Sequence, residues 1–491
     1  MFARSTPQVY YVAPTGRDTN DGSLDAPWAT LNHAANTLKA GDTVYLRSGY
    51  YTLATQIKAK NSGSENTWIL YSGYPGESVT IDANNVVVPP PTGQPPFPHD
   101  QGAFQLENVH HIRVQNLKIV NSHNSGLTVR NSHHIELLNN QIENTFAPGI
   151  GVWGSDRAPL NNPTHHIQVI GNTVVNANDA KLGYEGFQGE SPHEAISLET
   201  VEFFEVANNL VRNSQKEGID IKGASKHGRM HHNYVHHVRH QGLYVDSWWG
   251  VLDDIEVDHN VVHDCRGAGF VVSVEGGTIA KNIRVHHNLI FDNWGTGILF
   301  GRWGSDGPRE NIQITNNTVH HNGHGKPNEG EQFYWITGGL YFFSSNLRNI
   351  QVSDNIFSEN QAFQIGYSDR YLKQSSDINQ VFQQKQIDVS KNLIFDTNNL
   401  RYPIYAGWAP DNLANISPIN GNQFVDQNPR FIDPKVHNFY LQKDSPALIR
   451  TPQGIKTLGA FPIEKPEDFW WKSDFPPNRS VSLSIDNNQK R

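Results

Sequence analysis

Cysteine is almost absent from this chain, and charge is sparse. The single Cys265 excludes an internal disulfide framework and a zinc site built on several thiolates. Charged residues make up 18% of the 491 residues and sum to a net charge of -9. This balance gives no electrostatic support for binding nucleic acid or an anionic membrane surface. We therefore expect no nucleic-acid partner, and the composition leaves the oligomeric state open.

Long apolar runs are also missing. No stretch approaches the roughly 20 residues of a membrane span, and residues 1–8 (MFARSTPQ) do not resemble a secretion signal. Two interpretations follow: an intracellular protein, or a mature chain from which a signal has been removed. We expect the second, with the protein acting in the extracellular space or the periplasm.

Glycine and proline are plentiful, at 41 and 27 residues, which is typical of a turn-rich β protein. Between residues 135 and 394 one phrase recurs nine times: an apolar residue, a polar one, an apolar one, two more residues and an asparagine. The repeated asparagines are Asn140, Asn172, Asn209, Asn233, Asn260, Asn288, Asn317, Asn355 and Asn392. This repeat predicts a solenoid of parallel strands, because each coil buries its apolar face only against the next coil.

The pattern divides the chain into three parts of one continuous domain. Residues 1–85 are expected to form an N-terminal cap and the first strands, with an amphipathic helix that begins near Trp28 and ends at Gly41. Residues 86–400 are expected to form the solenoid, and residues 401–491 the closure of the last coil and a tail. The spacings from Asn209 to Asn317 are short, and insertions at 154–164, 178–192 and 324–336 flank them. These insertions predict walls around a cleft over residues 190–305.

Four charged side chains stand at similar distances before successive asparagines of the short coils. They are Asp220, Asp246, Glu275 and Arg302. Consecutive coils lie about 4.8 Å apart, so this count predicts one polar column across four coils. Stacked carboxylates repel one another, which favours a functional origin over the alternative of solvated outward positions.

Paired carboxylates are the catalytic groups of most glycoside hydrolases. We assign Asp246 as nucleophile or base, Glu275 as general acid, and Asp220 as a modulator or alternative catalytic acid. The pair on adjacent coils, Asp246 and Glu275, would give retention of configuration, whereas Asp220 with Glu275 would give inversion.

Further candidates for substrate binding surround these acids. Flat aromatic rings suit the apolar faces of sugars, although such rings also cover coil ends. The candidate binding residues are His193, Glu194, Lys222, Trp248, Trp249, Arg302, Trp303, Tyr334 and Tyr341. Most of the 24 histidines occur in turns, as in the pair His133 and His134, and are interpreted as structural, so no metal site is expected.

Two other functions stay open. Lys222 shares a strand face with Asp220 and is the candidate base of a polysaccharide lyase acting on a uronic-acid polymer by β-elimination, with Arg302 neutralising the uronate. A plain salt bridge from Lys222 to Asp220 or Asp246 is the simpler interpretation of that lysine. The second alternative is a non-catalytic, glycan-binding solenoid.

The ends of the chain resemble a known group. Residues 10–51 (YYVAPTGRDTNDGSLDAPWATLNHAANTLKAGDTVYLRSGYY) and the closing phrases NPRFIDP, SPAL and LGA are similar to right-handed parallel β-helix proteins of the pectate-lyase-like superfamily. The resemblance implies an all-β, single-stranded right-handed parallel β-helix, here of about ten coils, that acts on a carbohydrate. It implies no cofactor for a glycoside hydrolase, and calcium only if the protein is a lyase.

Overall fold

A computed structural model describes residues 6–87, 100–154, 164–325, 337–368, 378–397, 404–406, 414–415 and 427–460. Three long sheets run along these residues, and each full coil of the chain contributes one strand to each sheet. Neighbouring strands pair in parallel, so the predicted single-stranded parallel β-helix is confirmed. Among the described residues, no helix has the length and apolar character needed to cross a bilayer.

The sheets are numbered in the order in which a coil passes through them. Sheet 1 contains Val9–Val12, Thr43–Leu46, Ile69–Gly73, His110–Gln115, His133–Leu138, His165–Ile170, Glu202–Ala207, Lys226–His231, Val251–Asp258, Ile279–His286, Arg309–Thr315, Leu347–Ser353 and Ile387–Ser390. Sheet 2 contains Gly49–Thr52, Val79–Asp82, Lys118–Ser122, Gln141–Thr145, Thr173–Val175, Leu210–Arg212, Tyr234–His236, Val261–His263, Leu289–Phe291, Thr318–His320, Ile356–Ser358 and Leu393–Phe395.

Sheet 3 carries the candidate site. It contains Ile57–Lys58, Gly102–Glu107, Ser125–Arg130, Ile150–Trp153, Ile196–Glu199, Ile219–Lys222, Leu243–Asp246, Phe270–Ser273, Ile298–Phe300, Leu340–Phe342, Ile365–Tyr367, Ile404–Ala406 and, antiparallel to the rest, Ala414–Asn415. Two small hairpins follow, Phe431–Asp433 with Asn438–Leu441 and Leu448–Thr451 with Gly454–Thr457. The short helices are Leu31–Thr37, Ala180–Leu182, Ile378–Lys385 and Pro434–Val436.

The number of coils exceeds the predicted ten, since sheet 1 has 13 strands and sheet 2 has 12 among the described residues. The first coils escaped the count because they lack the repeated asparagine. Leu117 occupies the equivalent position one coil before Asn140, and its backbone N–H donates to Asn140 Oδ1 at 3.2 Å.

A helix forms where the amphipathic pattern predicted it, at Leu31–Thr37. Thr30 accepts a hydrogen bond from the His33 N–H as N-cap, and Leu31, Ala34 and Ala35 are buried. That this helix covers the open end of the solenoid stays a prediction. The division at residues 85 and 400 is likewise not tested, although sheet 1 continues from its first strand to Ile387–Ser390.

The interior is filled by alternate residues of all three sheets. Ile135, Ile167, Phe204, Ile255 and Ile283 stack in register along sheet 1 and are buried. Gly228 breaks this row because Phe204 takes up the space: a Cβ at Gly228 would lie 1.9 Å from Phe204 Cζ. The one irregular repeat thus compensates for the large ring on the preceding coil.

The nine repeated asparagines form a ladder at the turn between sheets 1 and 2. Each side chain lies inside the coil with at most 1% exposure. At Asn260, the Nδ2 group donates to Met230 O at 2.9 Å and to Asn288 Oδ1 at 2.9 Å, while Oδ1 accepts from the backbone N–H and Nδ2 of Asn233. The amide of Asn260 therefore links its own coil to both neighbours, and the same contacts recur from Asn140 to Asn355.

A second ladder at the turn between sheets 2 and 3 was not predicted. Asn293 donates through Nδ2 to Asn322 Oδ1 at 2.9 Å, and Asn322 donates in the same way to Asn360 Oδ1 at 3.0 Å. Asn360, the last of the series, donates to Gln364 Oε1. Cys265 takes the equivalent place on the preceding coil, where its N–H donates to Asn293 Oδ1. The pattern covers only three asparagines, which is why the sequence repeat did not reveal it.

Replacing Asn260 by alanine tests the first ladder. The substitution leaves two donors of Asn233 and the Met230 carbonyl without partners, and each buried unsatisfied group costs about 1–3 kcal/mol. We expect a lower urea midpoint of unfolding than for Asn36→Ala, which removes an exposed helix asparagine. Equal midpoints for the two variants would show that the ladder is not stabilising.

Acid should destabilise the fold through its partly buried imidazoles. Burial, with neighbouring imidazoles at several sites, lowers the pKa from 6.5 to about 4 for His133, His134, His232, His287 and His320. Between pH 4 and pH 6.5 the unfolded chain therefore binds more protons than the folded chain. The free energy of unfolding has its full value above pH 6.5 and decreases as the pH drops toward 4. The melting temperature, measured with a chelator present, should decrease from pH 7 to pH 5. His232→Asn should weaken this dependence, and a flat profile for the unaltered protein would contradict the prediction.

Candidate active site on the outer face of sheet 3

Strand pairing places two outward rows of side chains on sheet 3. The first row reads Gln105, Thr128, Gly151, Ser197, Asp220, Tyr244, Val271, Leu299 and Tyr341. The second row, two residues further along each strand, reads Glu107, Arg130, Trp153, Glu199, Lys222, Asp246 and Ser273. Both rows are continuous because the strands stay in register from coil to coil.

The single polar column predicted from the asparagine spacing is wrong in register. Asp220 belongs to the first row and Asp246 to the second, where Asp246 pairs with Lys222. Glu275 and Arg302 follow the ends of their strands, beyond Ser273 and Phe300. The count failed because the connection between sheet 3 and sheet 1 differs in length among these coils. The four residues form a diagonal across the coils.

Lys222 is held by carboxylates. Its Nζ donates to Glu194 Oε1 and Oε2 at 2.9 and 2.8 Å and lies 3.9 Å from Asp220 Oδ2. Ser197 Oγ also donates to Glu194, at 2.7 Å. Burial alone would raise the pKa of Glu194, but Lys222 lowers it overall, and the surrounding carboxylates raise the pKa of Lys222. The lysine is therefore protonated at neutral pH.

Asp220 is 2% exposed and has one carboxylate oxygen, Oδ1, without a hydrogen-bond partner among the described residues. Burial raises the pKa of Asp220 well above its ordinary value, and the nearby Glu194 raises it further. A buried carboxyl group in this setting favours the protonated form.

Asp246 and Glu275 lie together on adjacent coils. The backbone N–H of Glu275 donates to Asp246 Oδ1 at 3.2 Å, and Tyr244 Oη donates to Glu275 Oε1. Asp246 is 2% exposed, whereas Glu275 is half-buried. Burial raises the pKa of both carboxyl groups, and the charge of Glu275 adds to the rise at Asp246.

Two further acids complete the cluster. Glu217 lies in the turn one coil after Glu194, and its Oε1 contacts His240 Nδ1 at 3.1 Å. Glu199 neighbours Lys222 in the second row, and burial raises its pKa. The charge balance in this region is strongly acidic, with six carboxyl groups around Lys222: Glu194, Glu199, Glu217, Asp220, Asp246 and Glu275.

The predicted binding residue His193 lies on the N-terminal side of the acids. Its Nε2 contacts Asp100 Oδ1 at 2.8 Å, and Arg130 reaches the other oxygen of Asp100 at 3.5 Å. The Arg130 guanidinium lies 5.2 Å from the centre of the Trp153 ring, which is itself 5.5 Å from the His193 ring. A region of one arginine, one histidine and one tryptophan around Asp100 therefore adjoins the acids.

On the C-terminal side the outer face becomes apolar. Val271, Leu299 and Tyr341 of the first row are at most 2% exposed, and Trp303 packs on Tyr244 with ring centres 6.1 Å apart. Arg302 contacts Asp306 at 3.4 Å, in the same turn as Trp303. The predicted binding residues Tyr341 and Trp303 thus border the site, whereas Arg302 forms an ion pair with Asp306 beside it.

The remaining aromatic candidates differ in position. Trp248 is 45% exposed, and Trp249 Nε1 donates to Thr200 Oγ1 at 3.1 Å, so that Trp249 lies next to the end of strand Ile196–Glu199. Tyr334 lies outside the described residues, as do 155–163 and 326–336 of the predicted walls. The insertion at 178–192 packs Phe187 on Phe146 with centres 4.8 Å apart.

The spacing pattern did not identify several members of the site. They are Asp100, Arg130, Trp153, Glu199, Glu217, Tyr244 and His240. Most could have been found from the alternation of inward and outward residues along a strand. Asp220 and Lys222 define the outward positions on their own strand, and the same positions can be marked on the neighbouring strands. Asp100 and His240 lie in turns, where no periodicity marks them.

Calcium binding, expected only for a lyase, can be tested against the donors present. Within the described part of the chain, the groups of side chains whose ligand atoms lie close enough to share an ion all contain histidine, and none includes an acid of this site. Glu194 is bound to Lys222, and Glu275 to Tyr244. These carboxylates do not fit a calcium site as they are arranged.

Residues 101–278 and 194–394 match the family model described as the right-handed β-helix region. The chain belongs to the right-handed β-helix family. Residues 10–189 also match the Pel9A-like right-handed β-helix region. The predicted membership of the pectate-lyase-like β-helix proteins is thus confirmed, and with it the predicted hand of the helix.

Two curated proteins are similar to this β-helix protein. It is 25% identical over 476 residues to the uncharacterized protein YwoF of Bacillus subtilis (strain 168), covering 89% of this chain and 91% of that protein. It is 30% identical over 126 residues to pectate lyase PEL9 of Emericella nidulans, covering 25% of this chain and 31% of that protein. The second similarity is therefore confined to a quarter of the chain.

Two solved structures align with the chain at low identity. Pectate lyase Pel9A aligns with a TM-score of 0.44 and 13% identity over 94% of this chain and 98% of that one. A rhamnogalacturonan lyase aligns with a TM-score of 0.48 and 12% identity over 87% and 91%.

Removing the positive charge of Lys222 should destabilise the protein. Lys222→Met leaves Glu194 buried without its partner, and breaking a buried ion pair in this way costs about 3–5 kcal/mol. We expect a lower urea midpoint for Lys222→Met and partial recovery in Lys222→Met/Glu194→Gln, which removes both charges. If the double variant unfolds at a lower urea concentration than the single variant, the two side chains do not act as a pair.

Proposed function

We propose that the protein is a glycoside hydrolase that cleaves a glycosidic bond of an oligo- or polysaccharide with carboxyl groups on neighbouring coils. The contact between Asp246 and Glu275 is the observation that carries this proposal: a hydrogen bond joins the two residues, and burial raises the pKa of both side chains. Glycoside hydrolysis requires one protonated and one ionised carboxyl group at the scissile bond.

Relative exposure is the basis for dividing the roles. Glu275 is the more exposed of the pair, so it can reach a glycosidic oxygen and donate its proton as the C–O bond breaks, whereas the hydrogen bond from Tyr244 favours its ionised form. Asp246, which must be ionised for this step against the rise in its pKa, attacks the anomeric carbon or takes a proton from the water that does so. Asp220, one coil before Asp246, is the modulator or alternative acid, because it adds a third titrating group to the same face.

Aromatic and polar groups beside the acids supply contacts for sugar rings. Trp153, Trp249 and Trp303 lie on or next to the outer face of sheet 3, and His193 and Arg130 flank Trp153. Flat apolar faces next to hydrogen-bonding groups are typical of carbohydrate sites. A glycan substrate in turn favours a protein that acts outside the cytoplasm, as in the expectation of a mature extracellular or periplasmic chain.

A polysaccharide lyase is the second candidate. It is favoured by the match of residues 10–189 to the Pel9A-like model and by the likeness to pectate lyase PEL9. The acids at 194–275 lie outside that matched region. Lys222, the base in the lyase hypothesis, is paired with Glu194 and carries a raised pKa, which opposes proton abstraction at neutral pH. We therefore prefer hydrolysis.

The proposal is tested by first screening a panel of glycans for the release of reducing ends, and then by two substitutions. Asp246→Asn and Glu275→Gln should each lower kcat/KM by about 100-fold or more, since each removes a group required in the transition state. Asp388→Asn, which changes an exposed acid on sheet 1, is the matched control and should retain activity.

Three outcomes separate the candidates. Full activity in both site variants would contradict the assigned pair. Unsaturated products, detected by ultraviolet absorbance on uronic-acid polymers, would show that the protein cleaves by elimination and not by hydrolysis. A glycan that binds equally to the unaltered protein and to both variants, without release of sugar, would indicate the non-catalytic alternative.

A further inference from the structure

Six imidazoles lie together on three consecutive coils, at the turn from sheet 3 into sheet 1. This histidine cluster consists of His110, His111, His133, His134, His165 and His166. Each coil contributes two adjacent histidines, of which the second has a positive φ of 53 to 54°. The inference drawn from this cluster does not depend on the proposed function.

The rings are ordered both within and between coils. In each pair the two Nδ1 atoms face one another at 2.9, 2.9 and 2.7 Å, with the ring planes 79 to 85° apart. The rings of successive coils stack, with centres 4.8 and 4.7 Å apart for the first members and 4.5 and 4.6 Å for the second. Trp68 contacts one end of the cluster and Phe203 stacks on the other.

Backbone geometry explains only half of these histidines. The left-handed conformation of the second member favours Asn, Asp or His, and Asp254, Asn282 and Asn311 adopt it on later coils of the same turn. The first members have no such constraint, and the same register position holds Glu202 and Lys226 on the next two coils. Two histidines per coil therefore need a further reason on these three coils.

The positions of the nitrogen atoms provide a reason for the paired histidines. Tetrahedral zinc with Zn–N bonds of 2.0–2.1 Å separates two ligand nitrogens by about 3.3 Å, so each Nδ1 pair needs to open by only about half an ångström. The ligand atoms of His111, His133 and His134 lie within 4.8 Å of one another, and so do those of His134, His165 and His166. His134 is common to both groups.

We propose that the histidine cluster binds one divalent transition-metal ion, with His134 as the central ligand. Imidazole nitrogen suits zinc and copper, whereas calcium and magnesium require oxygen ligands. On binding, the proton shared between two Nδ1 atoms moves to Nε2 of the ring that carried it, so both rings ligate in the neutral form. The ion joins neighbouring coils and stabilises the folded chain, because the unfolded chain lacks the arrangement.

A second group of ligand atoms, at His232, Asp258 and His259, is less suited to an ion. Both oxygens of Asp258 already accept hydrogen bonds from Arg229 at 2.7 Å, and His259 Nδ1 contacts the same carboxylate at 2.6 Å. An ion there would have to displace a guanidinium, which the histidine cluster does not require.

Titration calorimetry with zinc chloride on tag-free, chelator-treated protein tests the proposal. We expect saturable binding and a melting temperature that rises with zinc. His134→Asn should weaken the binding at least tenfold and abolish the rise, and it should fold because asparagine occupies equivalent turn positions. His227→Asn is the matched control: it removes an imidazole from the same row, where Lys226 precedes it in place of a second histidine, and binding should be unchanged.

The proposal is overturned if zinc shows no saturable binding, or if His134→Asn binds zinc as the unaltered protein does. Zinc bound at His232 and His259 would remain bound in both variants. It is recognised by comparing the number of zinc ions bound per chain in the unaltered protein with the number in each variant. If His134→Asn is destabilised without metal, His133→Gln replaces it, and X-ray absorption of the zinc-loaded unaltered protein counts the imidazole ligands directly. Fewer than two imidazole nitrogens on zinc would also overturn the proposal.

Discussion

The amide ladder between sheets 1 and 2 is the interaction on which the remaining structure depends. A buried asparagine must satisfy two donors and an acceptor, and at Asn260 the neighbouring coils supply these partners. A coil that slipped by one residue would leave these groups unpaired and turn its apolar residues outward. The ladder therefore fixes the register of sheet 1, and the strands of sheet 3 pair in the same order of coils.

Register alone brings the acids of sheet 3 together, since Glu194, Asp220, Asp246 and Glu275 are separated by at least one coil of chain from each other. Burying several carboxyl groups beside one lysine is unfavourable, and the rise in pKa at Asp220 and Asp246 reflects that cost. The hydrogen-bonded coils on both sides hold these groups in place. Stability elsewhere in the solenoid thus supports a site that is unfavourable by itself.

The sequence predicted the architecture because its signal is local: an asparagine recurs in nine coils, with two apolar residues before it in all but one. The site was predicted less completely, because it depends on where each strand begins and not on distances to the asparagine. Asp246 was chosen from its distance to Asn260, and Lys222 from the strand face it shares with Asp220. These two residues do lie side by side, but the column through Asp220 and Arg302 is a diagonal. Glu217 and Asp100 lie in turns, and only pairing between coils reveals their neighbours.

The outer face of sheet 3 changes character along the axis of the solenoid. Glu107, Arg130 and Trp153 come first, the acids follow, and the buried Val271 and Leu299 end the series. Because the polar part lies at one end and the covered apolar part at the other, a linear molecule laid along the axis would meet different chemistry at its two ends. Its two orientations are then unequal in energy, so the fold itself provides a means of distinguishing the direction of a chain.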